Sequence, residues 1–294
     1  MEESERRRRM EERQEKFSGR CVVKDPRTGK VARLCLDFDD ETEEPTVEVH
    51  PQLCHYLKDH QAYGIKFLWD AVFESKAELL SGRVPGGAIL AHCMGLGKTL
   101  QTIALIHCLM TNFSQKVSRV LILCPVNTIK NWAEEFDKWL RTFVFDFDVF
   151  EMTTDEMKDN QVRADRLEAW HSDGGIMIMG YGMFTKFAKN CSETIVLGGG
   201  ERKNQFKRRQ RRIFRQTLLD PGPDLVICDE GHVMKNTKTA LNDSVNRIST
   251  RRRIVLTGTP LQVWSLTQFY LFTICFVFFC ALRHDLMASE MPEK

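Results

Sequence analysis

Two short strings contain the residue types from which a phosphate-handling site can be built. The first is Gly95-Leu96-Gly97-Lys98-Thr99, and it follows the apolar run 88–91. Glycines let the backbone wrap around phosphates, a lysine neutralises the β- and γ-phosphates, and a hydroxyl can ligate Mg²⁺. The first position of the usual Gly-x-x-x-x-Gly-Lys-Thr pattern is His92 here. An ordinary glycine turn leading into a helix therefore stays open for this string alone.

The second string is Asp229-Glu230-Gly231-His232, after the apolar run 225–228. One carboxylate of such a pair can hold a metal ion through water, and the other can orient or deprotonate an attacking water. Adjacent acids after a strand are also common at a solvated helix start. It is the two strings together, in this order, that predict an ATP hydrolysis site.

The elements that must position these strings alternate regularly along the chain. Helix-compatible segments separate five β-rich runs at 87–91, 119–124, 176–179, 224–228 and 253–257. This alternation predicts an α/β fold, with a parallel sheet flanked by helices and right-handed crossovers. Each run ends in a loop rich in Gly, Pro, Asp, Asn or Thr. Loops at the carboxyl ends of parallel strands share one edge of the sheet, so we expect all five to face one cleft.

Composition sets few limits on the function. The chain has 294 residues, enough to bury a core, and its 42 basic and 40 acidic residues leave a net charge of +2. Bulk charge therefore gives no indication of a nucleic-acid partner. Ten cysteines without a Cys-x-x-Cys pair indicate reduced core thiols of an intracellular protein rather than disulfides or metal ligands. Residues 1–16 lack the apolar core of a signal peptide.

Three segments depart from the alternation. Residues 1–48 predict a charged N-terminal arm or peripheral segment, with a weak strand pattern before the acidic stretch 37–44. Within it, residues 1–16 indicate a solvated helix or a disordered arm, and the arginines at 6–9 hint at nuclear import. Residues 201–215 hold eight Lys or Arg, which indicates a contact to nucleic-acid phosphates, an import signal or a solvated helix face. The uncharged stretch 263–282 meets the length and polarity rule for a membrane span.

Six motifs in order along the chain resemble those of a Snf2-type, superfamily-2 helicase-like ATPase. They are Leu57-x-x-His60-Gln61-x-x-Gly64-x-x-Phe67, Met94 to Thr99, Cys124-Pro125 with Lys130-Asn131-Trp132, Gly180-Tyr181, Asp229 to His232, and Leu256-Thr257-Gly258-Thr259-Pro260-Leu261-Gln262. Ala91-His92-Cys93-Met94, Gly231-His232 and the segment 220–224 are similar to the ATRX branch of chromatin remodellers. The resemblance covers about residues 46–262, and it makes His92 a mark of this branch.

The resemblance implies a P-loop, RecA-like lobe with ATP and Mg²⁺ as cofactors. It implies Glu230 as the base for the lytic water, Lys98 and Asp229 as further catalytic residues, and Thr99 and Asp229 as Mg²⁺ ligands. The residues that it implies for binding ATP are Gln61, which would read the adenine edge, and Met94, Gly95, Leu96, Gly97, Lys98, Thr99 and Leu100. The residues that it implies for DNA contact or coupling are Lys130, Asn131, Trp132, Tyr181, His232, Thr257, Gly258 and Thr259.

The resemblance also implies a function and its context. We expect a nuclear, ATP-dependent double-stranded-DNA translocase acting on chromatin, with histone-related partners. The expected organisation is an arm at 1–48, a first RecA-like lobe at 49–262 and an atypical tail at 263–294. In this family a second lobe supplies arginine fingers, so we expect the chain alone to bind ATP·Mg²⁺ weakly and to hydrolyse it poorly.

Two other functions stay open. The chain is alternatively a non-catalytic, truncated isoform that occupies DNA or partners as a regulator. A membrane-tethered ATPase rests on the tail alone, and we do not favour it. For the tail itself, translated non-coding sequence or an alternative exon, a packed family helix and a membrane anchor all remain alternatives.

Overall fold

The structure is a computed structural model that describes residues 2–82, 86–140, 147–153, 159–191, 201–234, 239–258 and 274–275. Its strands are β1 Val22–Lys24, β2 Val31–Phe38, β3 Pro45–Glu48, β4 Gly87–Ala91, β5 Arg119–Cys124, β6 Val149–Met152, β7 Gly175–Gly180, β8 Leu225–Cys228, β9 Arg253–Thr257 and β10 Ile274–Cys275. The helices are α1 Glu2–Phe17, α2 Pro51–Cys54, α3 Asp59–Phe73, α4 Lys76–Ser81, α5 Lys98–Asn112, α6 Ile129–Leu140, α7 Asn160–Asp173, α8 Tyr181–Asn190, α9 Glu201–Leu218 and α10 Ala240–Asn246.

The central sheet is parallel, in the order β10-β4-β9-β8-β5-β7-β6. Its five inner strands match the five predicted runs to within one residue at either end. Strands that are buried on both faces consist of continuous apolar runs, and such runs can be recognised in the sequence. The predicted α/β fold, with a parallel sheet flanked by helices, is confirmed.

Alternate residues of the inner strands supply two separate cores. In β5, Val120 and Ile122 point to the side covered by α3, α5 and α6, whereas Leu121 and Leu123 point to the side covered by α7, α8, α9 and α10. Each face of the sheet is thus sealed by its own helical layer. Loops at the strand ends remain as the accessible edge.

The N-terminal segment forms a second, antiparallel sheet in the order β1-β2-β3. Leu34, Leu36 and Val47 are fully or almost fully buried and join the core under α3 and α5. Helix α1 lies against this region through ion pairs, among them Arg6 with Glu74 and Arg13 with Asp37. Part of the charge-rich segment 1–48 therefore packs on the body of the lobe.

Two further observations bear on the sequence-based expectations. The cysteines at 21, 35, 54, 93, 108, 124, 191 and 228 are free thiols, and six of these eight are buried. Among the helices of the described residues, not one combines the length and the apolar character needed to cross a membrane. The stretch 263–282 lies outside the described residues except for β10, so the alternatives for the tail remain predictions.

Candidate nucleotide site

The topology brings the two chemical strings to one edge of the sheet. Strand β9 pairs with β4 on one side and with β8 on the other, and Ala91 is in register with Thr257. The loop after β4 holds Lys98, and the residues that follow β8 are Asp229 and Glu230. A single strand thus separates the lysine loop from the two carboxylates.

Gly97 has a conformation and a contact that exclude a side chain. Its φ is +71°, a left-handed value that most residues avoid, and it immediately precedes the start of α5. A Cβ at this position would lie 2.1 Å from the Nε2 atom of Gln61. The loop therefore needs glycine here both for backbone freedom and for its close approach to α3.

The ammonium group of Lys98 bonds to the loop that it closes. Its Nζ donates to the carbonyl oxygens of His92 at 2.9 Å and Cys93 at 3.3 Å. Burial lowers the pKa of Lys98, while the carboxylates of Glu230 and Asp229 act in the opposite direction. The lysine is thus within electrostatic reach of both acids, although it pairs with neither.

Three side chains converge on the carbonyl oxygen of Leu96. Gln61 Nε2 donates to it at 3.2 Å, Gln101 Nε2 donates to it at 3.3 Å, and His60 Nε2 lies 3.3 Å away. The other end of the Gln61 amide accepts a hydrogen bond from the backbone N–H of Lys58 at 2.9 Å. Both ends of the residue expected to read adenine are therefore engaged with the protein.

Sequence reasoning missed His60 and Gln101 as supports of the loop. Gln101 is fully buried on α5, one turn after Gly97, and its Nε2 also lies 3.3 Å from Nδ1 of His92. Helical periodicity from Gly97 places Gln101 on the same side of α5, so this was the available signal. Burial, with smaller effects of His60 and Lys98, lowers the pKa of His92 to about 4. The imidazole at the atypical loop position is thus neutral at physiological pH.

Asp229 is held by bonds to each of its polar groups. Its Oδ2 accepts from Trp132 Nε1 at 2.9 Å, its Oδ1 accepts from the backbone N–H of Glu230 at 2.9 Å, and its carbonyl oxygen accepts from the Tyr181 hydroxyl at 2.6 Å. Burial raises the pKa of Asp229, and the bond from Trp132 is the strongest opposing effect. The carboxylate is oriented before any ligand arrives.

Trp132 and Tyr181 therefore have a different placement from that expected of surface contacts. Trp132 is 1% exposed and Tyr181 is 7% exposed, and both lie beneath Asp229. Burial also raises the pKa of Tyr181 well above its ordinary value. Both side chains contact Asp229 from within the core and present little surface to a phosphate backbone.

Glu230 is a strained acid next to a histidine. Its φ is +50°, which is uncommon for a residue with a side chain and tends to persist where the surroundings require it. Its Oε2 lies 3.1 Å from Nδ1 of His232, and both side chains remain partly exposed. The carboxylate is thus turned by its backbone to where water and a ligand can reach it.

The other predicted residues are placed as follows. Lys130 and Asn131 are exposed at the start of α6, and Thr257 is buried at the end of β9. Met94 is 80% exposed, and a Cβ on Gly258 would lie 3.0 Å from its Cγ. Of the remaining predicted residues, Leu96 is exposed, Thr99 is partly buried and Leu100 is buried. Gly95 has a φ of +84° and open space beside it. Thr259 lies outside the described residues.

The donor set fits a magnesium nucleotide. In the part of the chain that the structure describes, no group of three or more His, Cys, Asp or Glu side chains could hold a metal ion by itself. Mg²⁺ usually takes one or two protein carboxylates and completes its shell with water and substrate phosphates. A partly buried carboxylate at Asp229, with the Thr99 hydroxyl on α5, would leave most of the Mg²⁺ shell to water and phosphate oxygens.

Comparison with known proteins agrees with this geometry. Residues 60–279 match the model of the SNF2-related domain, so the match continues beyond residue 262. The chain is 44% identical to the Transcriptional regulator ATRX homolog of Drosophila melanogaster over 89% of its length, and 43% identical to human Transcriptional regulator ATRX over 78%. Human Helicase ARIP4 is 37% identical over 79%.

The chain spans only 19%, 9% and 17% of the lengths of these three relatives. Among solved structures, the Sulfolobus solfataricus SWI2/SNF2 ATPase core in complex with dsDNA aligns with 74% of this chain and 36% of its own, at 22% identity and a TM-score of 0.47. Since the family model covers well over half of the residues, the chain belongs to the SNF2-related domain family.

Proposed function

We propose that this lobe binds ATP·Mg²⁺ and supplies the phosphate-binding and water-activating residues of a DNA-dependent ATPase. The observation that carries the proposal is the placement of Lys98 within electrostatic reach of Asp229 and Glu230, at strand ends separated by one strand. One lysine beside two acids leaves a net negative charge at the site. A divalent cation would offset that charge, and Lys98 would then meet the negative phosphates.

Each residue has a role that follows from its position. Lys98 would exchange the carbonyls of His92 and Cys93 for phosphate oxygens, because an ammonium group binds anions more strongly than neutral carbonyls. The first N–H groups of α5 would point to the same anion. Glu230 is the partly exposed acid and would accept the proton of the attacking water.

Mg²⁺ would be held by Asp229 and Thr99, and it supplies charge that stabilises the transferred phosphoryl group. The preformed bonds to Asp229 support this assignment, since a ligand that is already oriented loses little freedom on binding. Gln61 would read adenine only after it gives up at least one of its present partners.

We further propose that the DNA substrate is double-stranded and chromatin-associated, and that the protein acts in the nucleus with histone-related partners. Names of relatives such as Transcriptional regulator ATRX support this setting. Trp132 and Tyr181 support a coupling route, because each lies in a predicted DNA motif and bonds directly to Asp229. Lys130 and Asn131 are exposed and would face the DNA backbone.

The direct test is nucleotide binding by Lys98→Ala. Loss of one hydrogen-bonding charge costs about 1.5–3 kcal/mol, so affinity for a fluorescent ATP analogue with Mg²⁺ should fall roughly 10- to 100-fold. Lys138→Ala, on an exposed lysine of α6 paired with Glu135, is the matched control and should bind as the wild type does. Unchanged binding by Lys98→Ala, with its fold intact by circular dichroism, would refute the assignment.

Turnover is a separate measurement. We expect the 294-residue polypeptide tested alone to hydrolyse ATP slowly, because transition-state arginines are worth about 10³- to 10⁵-fold in related phosphoryl transfers and would come from a second lobe. Robust turnover stimulated by double-stranded DNA would contradict this expectation. It would leave the binding assignment intact.

A further inference from the structure

Helix α9 carries a basic face that the nucleotide site does not use. Its inner face is apolar: Ile213, Phe214 and Leu218 are buried, and Phe214 stacks on Phe187 of α8 at 4.4 Å between ring centroids. Its outer face exposes Arg208, Arg209, Arg212 and Arg215, together with Phe206, which is 46% exposed. The packed inner side fixes the helix, so the arginines project from a rigid support.

The ion pairs along this face leave most of its charge available. Arg209 lies 3.1 Å from Glu168 and Arg215 lies 3.7 Å from Asp220, but all four side chains are more than half exposed. Exposed pairs of this kind are weak and are readily exchanged. Arg208 and Arg212 have no carboxylate within ion-pair distance among the described residues.

Other cations strengthen the field at one end of the stripe. Arg247 is exposed, and the positive charges of Arg247, Arg211 and Arg215 all act on Cys191 at the end of α8, where they oppose the rise in its pKa caused by burial. Arg247 belongs to the end of α10 and also donates to the carbonyl oxygen of Ala188 at 2.6 Å. The basic surface thus extends from α9 onto its neighbour.

This surface is remote from the nucleotide edge at its C-terminal end. Helix α9 ends at Leu218, and β8 begins at Leu225. The C-terminal end of α9 therefore lies at the edge where the strands begin, opposite the edge that holds Asp229. Arg208 and Arg212 are not among the residues assigned to ATP, so they can be replaced without changing any of those residues.

The composition and spacing of the stripe suit a row of phosphates as its ligand. Five of the six basic residues whose side chains are described on α9 are arginines, the residue best suited to bidentate phosphate contacts. Arg208 and Arg212 are four residues apart, about 6 Å along the helix axis, so they can follow a row of charges. By contrast, the guanidinium of Arg6 on α1 meets the carboxylate of Glu74 in a buried pair.

We propose that the exposed arginine stripe of α9 is a separate phosphate-binding surface, which holds the backbone of a nucleic acid. Phe206 lies next to the stripe and offers an aromatic face to an unstacked base or a sugar. This binding needs no nucleotide and does not rest on the proposed ATP hydrolysis. It makes the salt dependence of nucleic-acid affinity a property of α9.

The test compares Arg208→Gln/Arg212→Gln with the wild-type chain. Affinity for a fluorescent 30-base-pair DNA is measured by anisotropy, without nucleotide, across a fourfold range of salt. Each phosphate contact contributes about 0.9 to the slope of log K against log salt, so two contacts contribute about 1.8. The wild-type affinity should therefore fall about 12-fold more than that of the variant over this range.

The control removes two positive charges elsewhere. Arg27→Gln/Lys30→Gln changes the exposed turn between β1 and β2 and should leave the slope unchanged. An equal slope for the α9 variant and the wild type, with both folded, would overturn the proposal. The proposal would also be overturned if the α9 variant lost binding to a polyglutamate peptide while its DNA slope stayed unchanged. The stripe would then be a protein-binding surface. Lys98→Ala should keep the wild-type slope, which separates this result from failure of the ATP site.

Discussion

Replacing Trp132 by phenylalanine tests whether the Asp229 carboxylate is tuned by its indole partner. The substitution keeps an aromatic ring in the core beside Phe136 and removes the N–H that donates to Asp229 Oδ2 at 2.9 Å. A hydrogen bond to a charged group is worth about 1.5–3 kcal/mol. Since the bond is made to the ionised form, its loss should increase the proton affinity of Asp229 by roughly 10- to 100-fold.

The sign of the pH effect follows from burial. The folded-state pKa of Asp229 is already raised, mainly by desolvation, so the stability contributed by this group is full below its unfolded pKa and is lost as pH rises through its folded pKa. Trp132→Phe extends that loss to higher pH. The variant and the wild type should thus differ least in acid and diverge as pH rises.

The assay is ATP·Mg²⁺ binding measured across pH. Only the ionised carboxylate can hold Mg²⁺, so the acid limb of the binding profile should move to higher pH by about one to two pH units. Trp170→Phe is the matched control: Trp170 is equally buried, and its Nε1 donates at 3.0 Å to the neutral carbonyl of Gly175. It should destabilise the protein without moving the limb. An acid limb at the same pH in Trp132→Phe and Trp170→Phe would refute the reasoning.

Two stability predictions follow from local geometry. A non-glycine residue in the left-handed conformation costs roughly 1–2 kcal/mol. Gly97→Ala should lower the free energy of unfolding by more than this and should weaken nucleotide binding, because the added Cβ also meets Gln61. Gly95→Ala, at φ +84° with open space beside it, should show the conformational cost alone. Urea unfolding of both variants measures the difference. Glu74→Gln leaves the guanidinium of Arg6, which is buried, short of its counter-charge and should lower the free energy of unfolding by about 3–5 kcal/mol.

Controls for these two predictions are available in the chain. Glu12→Gln breaks the exposed pair with Arg8 on the same helix α1, and it should leave the urea midpoint unchanged. Equal midpoints for Glu74→Gln and Glu12→Gln would mean that the buried pair contributes nothing to the docking of α1. Equal losses in Gly97→Ala and Gly95→Ala would mean that the contact with Gln61 is not a constraint.

The inner sheet could be predicted from sequence because burial on both faces removes polar residues from the strands. Strand β6, at the edge, was not predicted: most of its side chains are only partly buried, and Glu151 interrupts the apolar pattern. The N-terminal sheet was indicated only by a weak strand pattern, because charged residues surround its few core positions. Helix α1 looks solvated in the sequence, but Arg6 and Arg9 meet Glu74, 65 residues away, and local patterns carry no record of such partners.

The site shows the same division. The residues that would touch phosphate lie in short contiguous strings, and their types alone indicate their chemistry. Their supports are distant in sequence: Trp132 is 97 residues from Asp229, and Tyr181 is 48 residues away. Only the register of parallel strands brings these partners together. The residues that would touch phosphate could therefore be identified from the sequence, whereas the residues that orient them could be identified only from the fold.

The hydrogen bonds at the site also constrain how binding energy can arise. Lys98 and Gln61 each have protein partners, so ATP binding must exchange existing hydrogen bonds instead of satisfying unpaired groups. An exchange between neutral partners is nearly balanced, and the gain must come from exchanges that add charge. The lysine, which leaves two neutral carbonyls for phosphate, makes the largest such exchange. Affinity in this lobe should accordingly depend far more on the number of phosphates and on Mg²⁺ than on the base.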